Sequence, residues 1–228
     1  MHAERFLEAA DALEKLGLRS LGYTQINIDA GWALPQRDNT TQELVADPRF
    51  FPHGIANLSA ELAARGFMLG GYTDRGTQQC GPSPGSKGHE ERDAELFVRW
   101  NLSYVKSDDC YSTLDYAAAM DDYEKFAAAL AAAPGNRDVY FLICGCKLGI
   151  GSPDPRKGWE QCPRDASHAT GISAWRIASD DYTWGNVLVN ANIYAGIAQY
   201  GGHGKFNDPC ELCCHLFLLE HASTMLSH

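Results

Sequence analysis

Long apolar runs are missing from this chain. None approaches the roughly 20 residues that a membrane-spanning helix requires. Basic residues are scarce as well, with 19 Lys and Arg against 29 Asp and Glu, a formal charge of -10. That balance argues against nucleic acid as a main partner, because phosphate binding needs clustered Lys and Arg. There is no linker, low-complexity tract or tandem repeat, so one domain over residues 1–228 is expected. The eight histidines show no metal-ligand spacing. The opening MHAERFLEAADALEKLG lacks the basic start and apolar centre of a signal peptide. On that reading the protein is cytosolic or the chain is incomplete.

What is present points to a packed α/β domain. Hydrophobic residues make up 45% of the chain, enough for a sizeable core. Eight cysteines permit disulfides. Glycosylation acceptor patterns occur at Asn39-Thr40-Thr41, Asn57-Leu58-Ser59 and Asn101-Leu102-Ser103. Together they tilt toward a secretory route.

Five short runs end in aspartate: YTQINID at Asp29, FMLGGYTD at Asp74, LSYVKSD at Asp108, AWRIASD at Asp180 and KFND at Asp208. A sixth, VYFLIC, ends at Cys144. The ends recur at intervals of about 30 to 45 residues, the rhythm of β/α units. In (β/α) barrels the carboxyl ends of the strands carry the active site. Strands are expected over 23–29, 67–74, 102–108, 139–144, 174–180 and 205–208. Helices are expected over 3–16, 57–65 and 90–101, from a capping box at Ser112 and Asp115 to Pro134, and near 186–200. Residues 145–172 read as irregular. Six strands rather than eight are recognisable, so the fold class is α/β, an incomplete (β/α)8 TIM-type barrel with exposed edges.

The segments NIDAGW, DPRFFPHGI, LGGYTDRGTQQC, PGSKGHEERDAELFVRWNLSYVKSDDC, SAWRIASDD and FNDP stand in this order from residue 27 to 209. They resemble the α-galactosidase family of glycoside hydrolases (family 27), retaining enzymes with a (β/α)8 catalytic barrel and a C-terminal β-sandwich. The resemblance runs from about residue 3 to 212. It implies that Asp108, in Tyr104-Val105-Lys106-Ser107-Asp108-Asp109-Cys110, is the nucleophile. It makes Asp180, four residues after Arg176 of Trp175-Arg176, the general acid/base. It gives sugar contacts to Asp29, Tyr72, Lys106 and Arg176, and a disulfide to Cys80 and Cys110. No cofactor and no metal are implied. The implied partner is a carbohydrate, an α-galactoside; the implied location is secreted, lysosomal or vacuolar. The oligomeric state is not readable. Lys106, two residues before Asp108, is placed to favour its anion.

Three positions depart from the family pattern. Ala30 stands for a second aspartate after Asp29, Gly145-Cys146 for Glu-Trp, and Cys210 for an aspartate after Pro209. The exact sugar is left open. The family's first and eighth strands and its β-sandwich are not recognisable, so the chain reads as truncated at both ends.

Simpler readings stand beside these. A strand-end aspartate is, alone, more often a turn or cap residue, and Asp74 and Asp208 are divided between fixing loops and lining a pocket. Asp109 and Asp181 read as hydrogen-bonding neighbours. Cys162 is a partner for Cys144 or Cys146, and Cys210, Cys213, Cys214 and His215 form a weak zinc pattern. The competing functions are a catalytically impaired carbohydrate-binding barrel and a metal-dependent barrel enzyme using the aspartate ring.

Overall fold

The computed structural model describes residues 2–136, 138–146, 155–177 and 183–208. Six strands form one parallel sheet in the order β1-β2-β3-β4-β5-β6. They are β1 Gln25–Asn27, β2 Met68–Asp74, β3 Tyr104–Asp108, β4 Tyr140–Ile143, β5 Ala174–Arg176 and β6 Phe206–Asp208. All six fall inside the expected runs. Each is shorter than its expected run; β2, β3 and β6 start later and end where expected, and residues 178–180 of the fifth run lie outside the described residues. The sheet curls as an incomplete (β/α)8 barrel, with β1 and β6 at its edges.

Helices cover the convex face. They are α1 Ala3–Lys15, α2 Gly54–Ala64, α3 Glu90–Arg99, α4 Tyr116–Ala132, α5 Pro155–His168 and α6 Trp184–Ile197. Alternation along each strand sends one set of side chains toward these helices. Leu69, Val105, Phe141, Ile143 and Trp175 join Leu62, Phe97, Phe126 and Ile197 in the main core. Phe97 and Phe126 have ring centroids 6.2 Å apart, and Phe126 and Phe141 5.4 Å. On the concave face a smaller cluster of Leu142, Cys144 and Ala174 packs with Tyr104 and Tyr140. Those two tyrosine rings stack at 5.8 Å.

Two local expectations need correction. Ser112 does not cap α4; Asp115 does, accepting from Ala118 N at 2.8 Å, while Ser112 Oγ donates to Asp109 O. The stretch from 145 to 172 is not irregular throughout, since it contains α5. Pro163 lies inside that helix, where it removes one backbone donor and would ordinarily break the turn. Tertiary contacts override it. Cys162 is buried and bonded to Cys146, Ala166 is buried, and Tyr116 Oη donates to Asp165 Oδ2 at 2.8 Å.

Candidate active site

Parallel register places the polar ends of the strands level with one another. Tyr72 pairs with Lys106, Asp74 with Asp108, and Arg176 with Asp208. Strand alternation then turns Tyr72 and Asp74 of β2, and Lys106 and Asp108 of β3, to the same face.

Asp108 is 7% exposed. Its Oδ2 accepts the Tyr72 hydroxyl at 3.0 Å and its Oδ1 accepts Asp109 N–H at 3.0 Å. Tyr72 is fully buried, and its carbonyl accepts Trp32 Nε1–H at 2.9 Å. Burial, followed by the charge of Asp108, pushes the Tyr72 phenol far above its usual value, so it stays a donor. Lys106 Nζ lies 5.2 Å from the centroid of the Tyr72 ring and donates to Asp29 Oδ2 at 2.8 Å. Asp29 Oδ1 accepts Ala30 N–H. Asp29, Tyr72, Lys106 and Asp108 are therefore one connected group spanning β1 to β3. Lys106 Nζ thus has an ion-pair partner in Asp29, 77 positions away in the sequence.

Arg176 is 2% exposed at the end of β5. Trp175, facing the opposite way, fixes β5 to β6 by donating Nε1–H to Asn207 Oδ1 at 2.7 Å. Asp180 and Asp181 lie outside the described residues, as do Cys210, Cys213, Cys214 and His215.

Asp74 performs a task that its position in the sequence left open. Its Oδ1 accepts Gly76 N–H at 2.7 Å and its Oδ2 accepts Cys110 N–H at 2.8 Å. One carboxylate thus joins the loop after β2 to the loop after β3. Gly76 is required for this approach, because an added Cβ would strike the carbonyl oxygens of Cys110 and Tyr111. Burial pushes the Asp74 carboxyl up to about 7, against the pull of those two N–H groups, and the charges of Asp108 and Asp109 add to the rise. Cys80 and Cys110 join the same two loops as a disulfide, with Cα atoms 5.3 Å apart.

The wall after β4 is rebuilt relative to the family pattern. Cys146 bonds to Cys162. Gly145 lies against Tyr123, where an added Cβ would sit 2.5 Å from Cε2 and 3.0 Å from the hydroxyl. Tyr123 Oη in turn donates to the Asp108 carbonyl at 3.4 Å. A side chain at 145 is therefore excluded by the residue that backs Asp108. Tyr123 could not be given its role from sequence, and for Asp74 loop fixing was one of two open readings, which its contacts with Gly76 N–H and Cys110 N–H bear out.

A face carrying carboxylates, a buried lysine, a buried arginine and a phenol can bind several hydroxyl groups at once. A surface hollow lined by His89, Glu91 and Lys125 between α3 and α4 contains none of these residues.

The family model described as alpha galactosidase A matches residues 1–225. Alpha-galactosidase 2 of Arabidopsis thaliana is 35% identical over 205 residues, which cover 89% of this chain and 47% of that protein. The alpha-galactosidase of Cyamopsis tetragonoloba is 33% identical over 204 residues, covering 89% and 45%. The crystal structure of alpha-galactosidase I from Mortierella vinacea superposes with a TM-score of 0.79 at 25% identity, over 95% of this chain and 57% of that one. The chain spans about half the length of the curated relatives it matches.

Proposed function

The chain belongs to the alpha galactosidase A family, and from that premise we propose that it forms part of a retaining glycoside hydrolase acting on terminal α-galactosides. Residues 1–228 act as a single, partial catalytic barrel. The observation that carries the reading is the Asp108 carboxylate, buried at the end of β3 and held by the Tyr72 hydroxyl and Asp109 N–H.

Asp108 attacks the anomeric carbon. The bond to the leaving oxygen breaks, and Asp180 gives that oxygen a proton. Asp180 then takes a proton from water, whose oxygen attacks the same carbon and releases Asp108. Double displacement needs the two carboxyl groups about 5–5.5 Å apart. Asp29, Lys106, Arg176 and Tyr72 orient the sugar hydroxyls. Cofactor and metal have no part in these steps.

The test is turnover of an aryl α-galactoside by the full chain, and its loss in Asp108→Asn. A galactose-configured epoxide that alkylates parent chain but not Asp108→Asn would identify the nucleophile. Turnover that persists in Asp108→Asn would sink the assignment.

A second reading has its own support. Gly145 against Tyr123, with Cys146 bridged to Cys162, removes the family's Glu-Trp from the wall beside the site. The chain would then bind galactose without cleaving it. Calorimetric binding with no release of aryl alcohol separates the two.

A secretory location is supported by two disulfides and by Asn39, Asn57 and Asn101, all exposed. Among the described residues no helix is long and apolar enough to cross a membrane.

A further inference from the structure

We infer that the mouth of the barrel holds a latent site for a zinc-class divalent cation, formed by Cys80, Cys110, Asp74 and Asp108 when the Cys80–Cys110 disulfide is reduced. One ligand atom from each of the four residues lies within 4.8 Å of every other. Zinc bonds sulfur at about 2.3 Å and carboxylate oxygen at about 2.0–2.2 Å, so tetrahedral ligands stand about 3.5 Å apart. The two sulfurs, bonded to each other in the oxidised chain, part when the disulfide is reduced, and rotation of the Asp74 and Asp108 side chains brings their oxygens in. Two sulfurs with two carboxylate oxygens suit zinc or cadmium, not calcium or magnesium, which take all-oxygen shells.

The cysteines stay together without their covalent bond. Asp74 accepts from both Gly76 N and Cys110 N, Arg75 N donates to the Asp108 carbonyl at 3.0 Å, and Gln79 N donates to Ser83 O at 2.8 Å. These bonds hold both loops from the backbone. Cys80 Sγ already lies 3.8 Å from Asp74 Oδ2.

Access and charge agree with the placement. Cys80 is exposed and Cys110 half-buried, with the two carboxylates buried beneath them. A reductant and a cation can both approach from solvent. Arg75 Nη2 donates to Thr113 O at 2.8 Å, its Nη1 lies 3.6 Å from Asp122 Oδ2 and its guanidinium is over the Tyr123 ring, while Lys106 Nζ donates to Asp29. A dication would neutralise Asp108 and displace the proton that burial keeps on Asp74 up to about pH 7.

The chemistry balances with an external dithiol or phosphine. The reductant supplies two electrons, the S–S bond breaks, and two thiols form with two protons from water. Binding of the cation displaces those two protons and, below about pH 7, the one on Asp74 as well. With Asp108 held as a ligand, it could not act on a sugar. The site itself does not depend on the hydrolase reading, because its readout is metal uptake.

The full chain is reduced with a phosphine, desalted without air, and titrated with Zn2+ or Cd2+ alone against a chromophoric chelator. Six further cysteines can take metal, so the measurement is a difference. The parent is expected to bind one equivalent more than Cys80→Ser/Cys110→Ser, and Asp74→Asn to weaken that equivalent by about tenfold or more. The oxidised parent should lack it. In the reduced parent, Zn2+ should slow alkylation of Cys80 and Cys110, read by peptide mass spectrometry, which needs no variant. Equal uptake by parent and double variant, or alkylation of both cysteines unaffected by Zn2+, would overturn the site. So would loss of the folded circular-dichroism signal on reduction alone.

Discussion

Lys106 Nζ and Asp29 Oδ2 meet at 2.8 Å, spanning β2 from β3 to the end of β1, with the Tyr72 ring alongside. The lysine side chain is 5% exposed and the aspartate 44%, so the pair is buried at one end and open to solvent at the other. The open end reduces its worth as a stabilising contact. It leaves Asp29 oriented and reachable by a ligand. Lys106→Met should weaken galactoside binding by about tenfold, raising KM more than it lowers kcat. Steady-state kinetics on an aryl α-galactoside, or galactose calorimetry, checks this. An unchanged KM would remove Lys106 from the binding group.

Tyr72→Phe deletes one hydroxyl and keeps the ring under Lys106. A hydrogen bond to a carboxylate contributes about 1.5–3 kcal/mol. The expected loss is ten- to hundredfold in kcat/KM, with a folded circular-dichroism spectrum retained. Kinetics equal to the parent's would show that the Asp108 contact is idle.

Asp74 predicts a pH effect on stability. Folded, its carboxyl keeps its proton up to about 7, whereas an unfolded aspartate releases it near about 4. Between those values the folded chain holds the extra proton. Stability from this group therefore falls as pH rises through the window and levels off above it, by at most about 1.4 kcal/mol per pH unit. Asp74→Asn should flatten that slope, while losing about 1–3 kcal/mol at all pH because one backbone N–H then faces an amide N–H. Urea denaturation at a series of pH values gives both quantities. Parallel curves for parent and variant would contradict the assignment.

Gly76→Ala should be among the costlier single-methyl additions to this fold. Its Cβ would lie 2.7 Å from the Tyr111 carbonyl oxygen and closer still to that of Cys110. Backbone must move to admit it, at about 2–3 kcal/mol. A thermal midpoint equal to the parent's would show that the two loops are looser than described.

Gly145→Ala tests the rebuilt wall. The methyl would press on the fully buried Tyr123 ring, and about 1–3 kcal/mol should be lost. Restoring the family's glutamate here should therefore fail to restore its sugar contact, which galactose calorimetry on Gly145→Glu measures. Tighter binding by that variant would refute the steric account.

The strands were legible because each carries a local signal, a short apolar or alternating run closed by a polar residue. β2 and β3 end at Asp74 and Asp108 as expected. α5 was not legible, because Pro163 and Gly158 read locally as breakers, and the packing that overrides them comes from Cys146 in another segment. The same limit applies at the site. Motif order singles out Asp29, Tyr72, Lys106 and Asp108, but which of them touch depends on register across three strands. The sequence set Lys106 beside Asp108, two residues away, but its ion pair with Asp29, 77 positions off, was not legible. Asp74's contact with Cys110 N–H was hidden for the same reason.

Each strand's hydrogen-bonded neighbour in the sheet is the strand next to it in the chain. Among the described strands none has to wait for a distant partner. As the polypeptide leaves a ribosome, every new β/α unit can dock on the one just completed, beginning at the amino terminus. The growing intermediate then shows only one fresh sheet edge at a time, which limits the surface open to misassociation during synthesis.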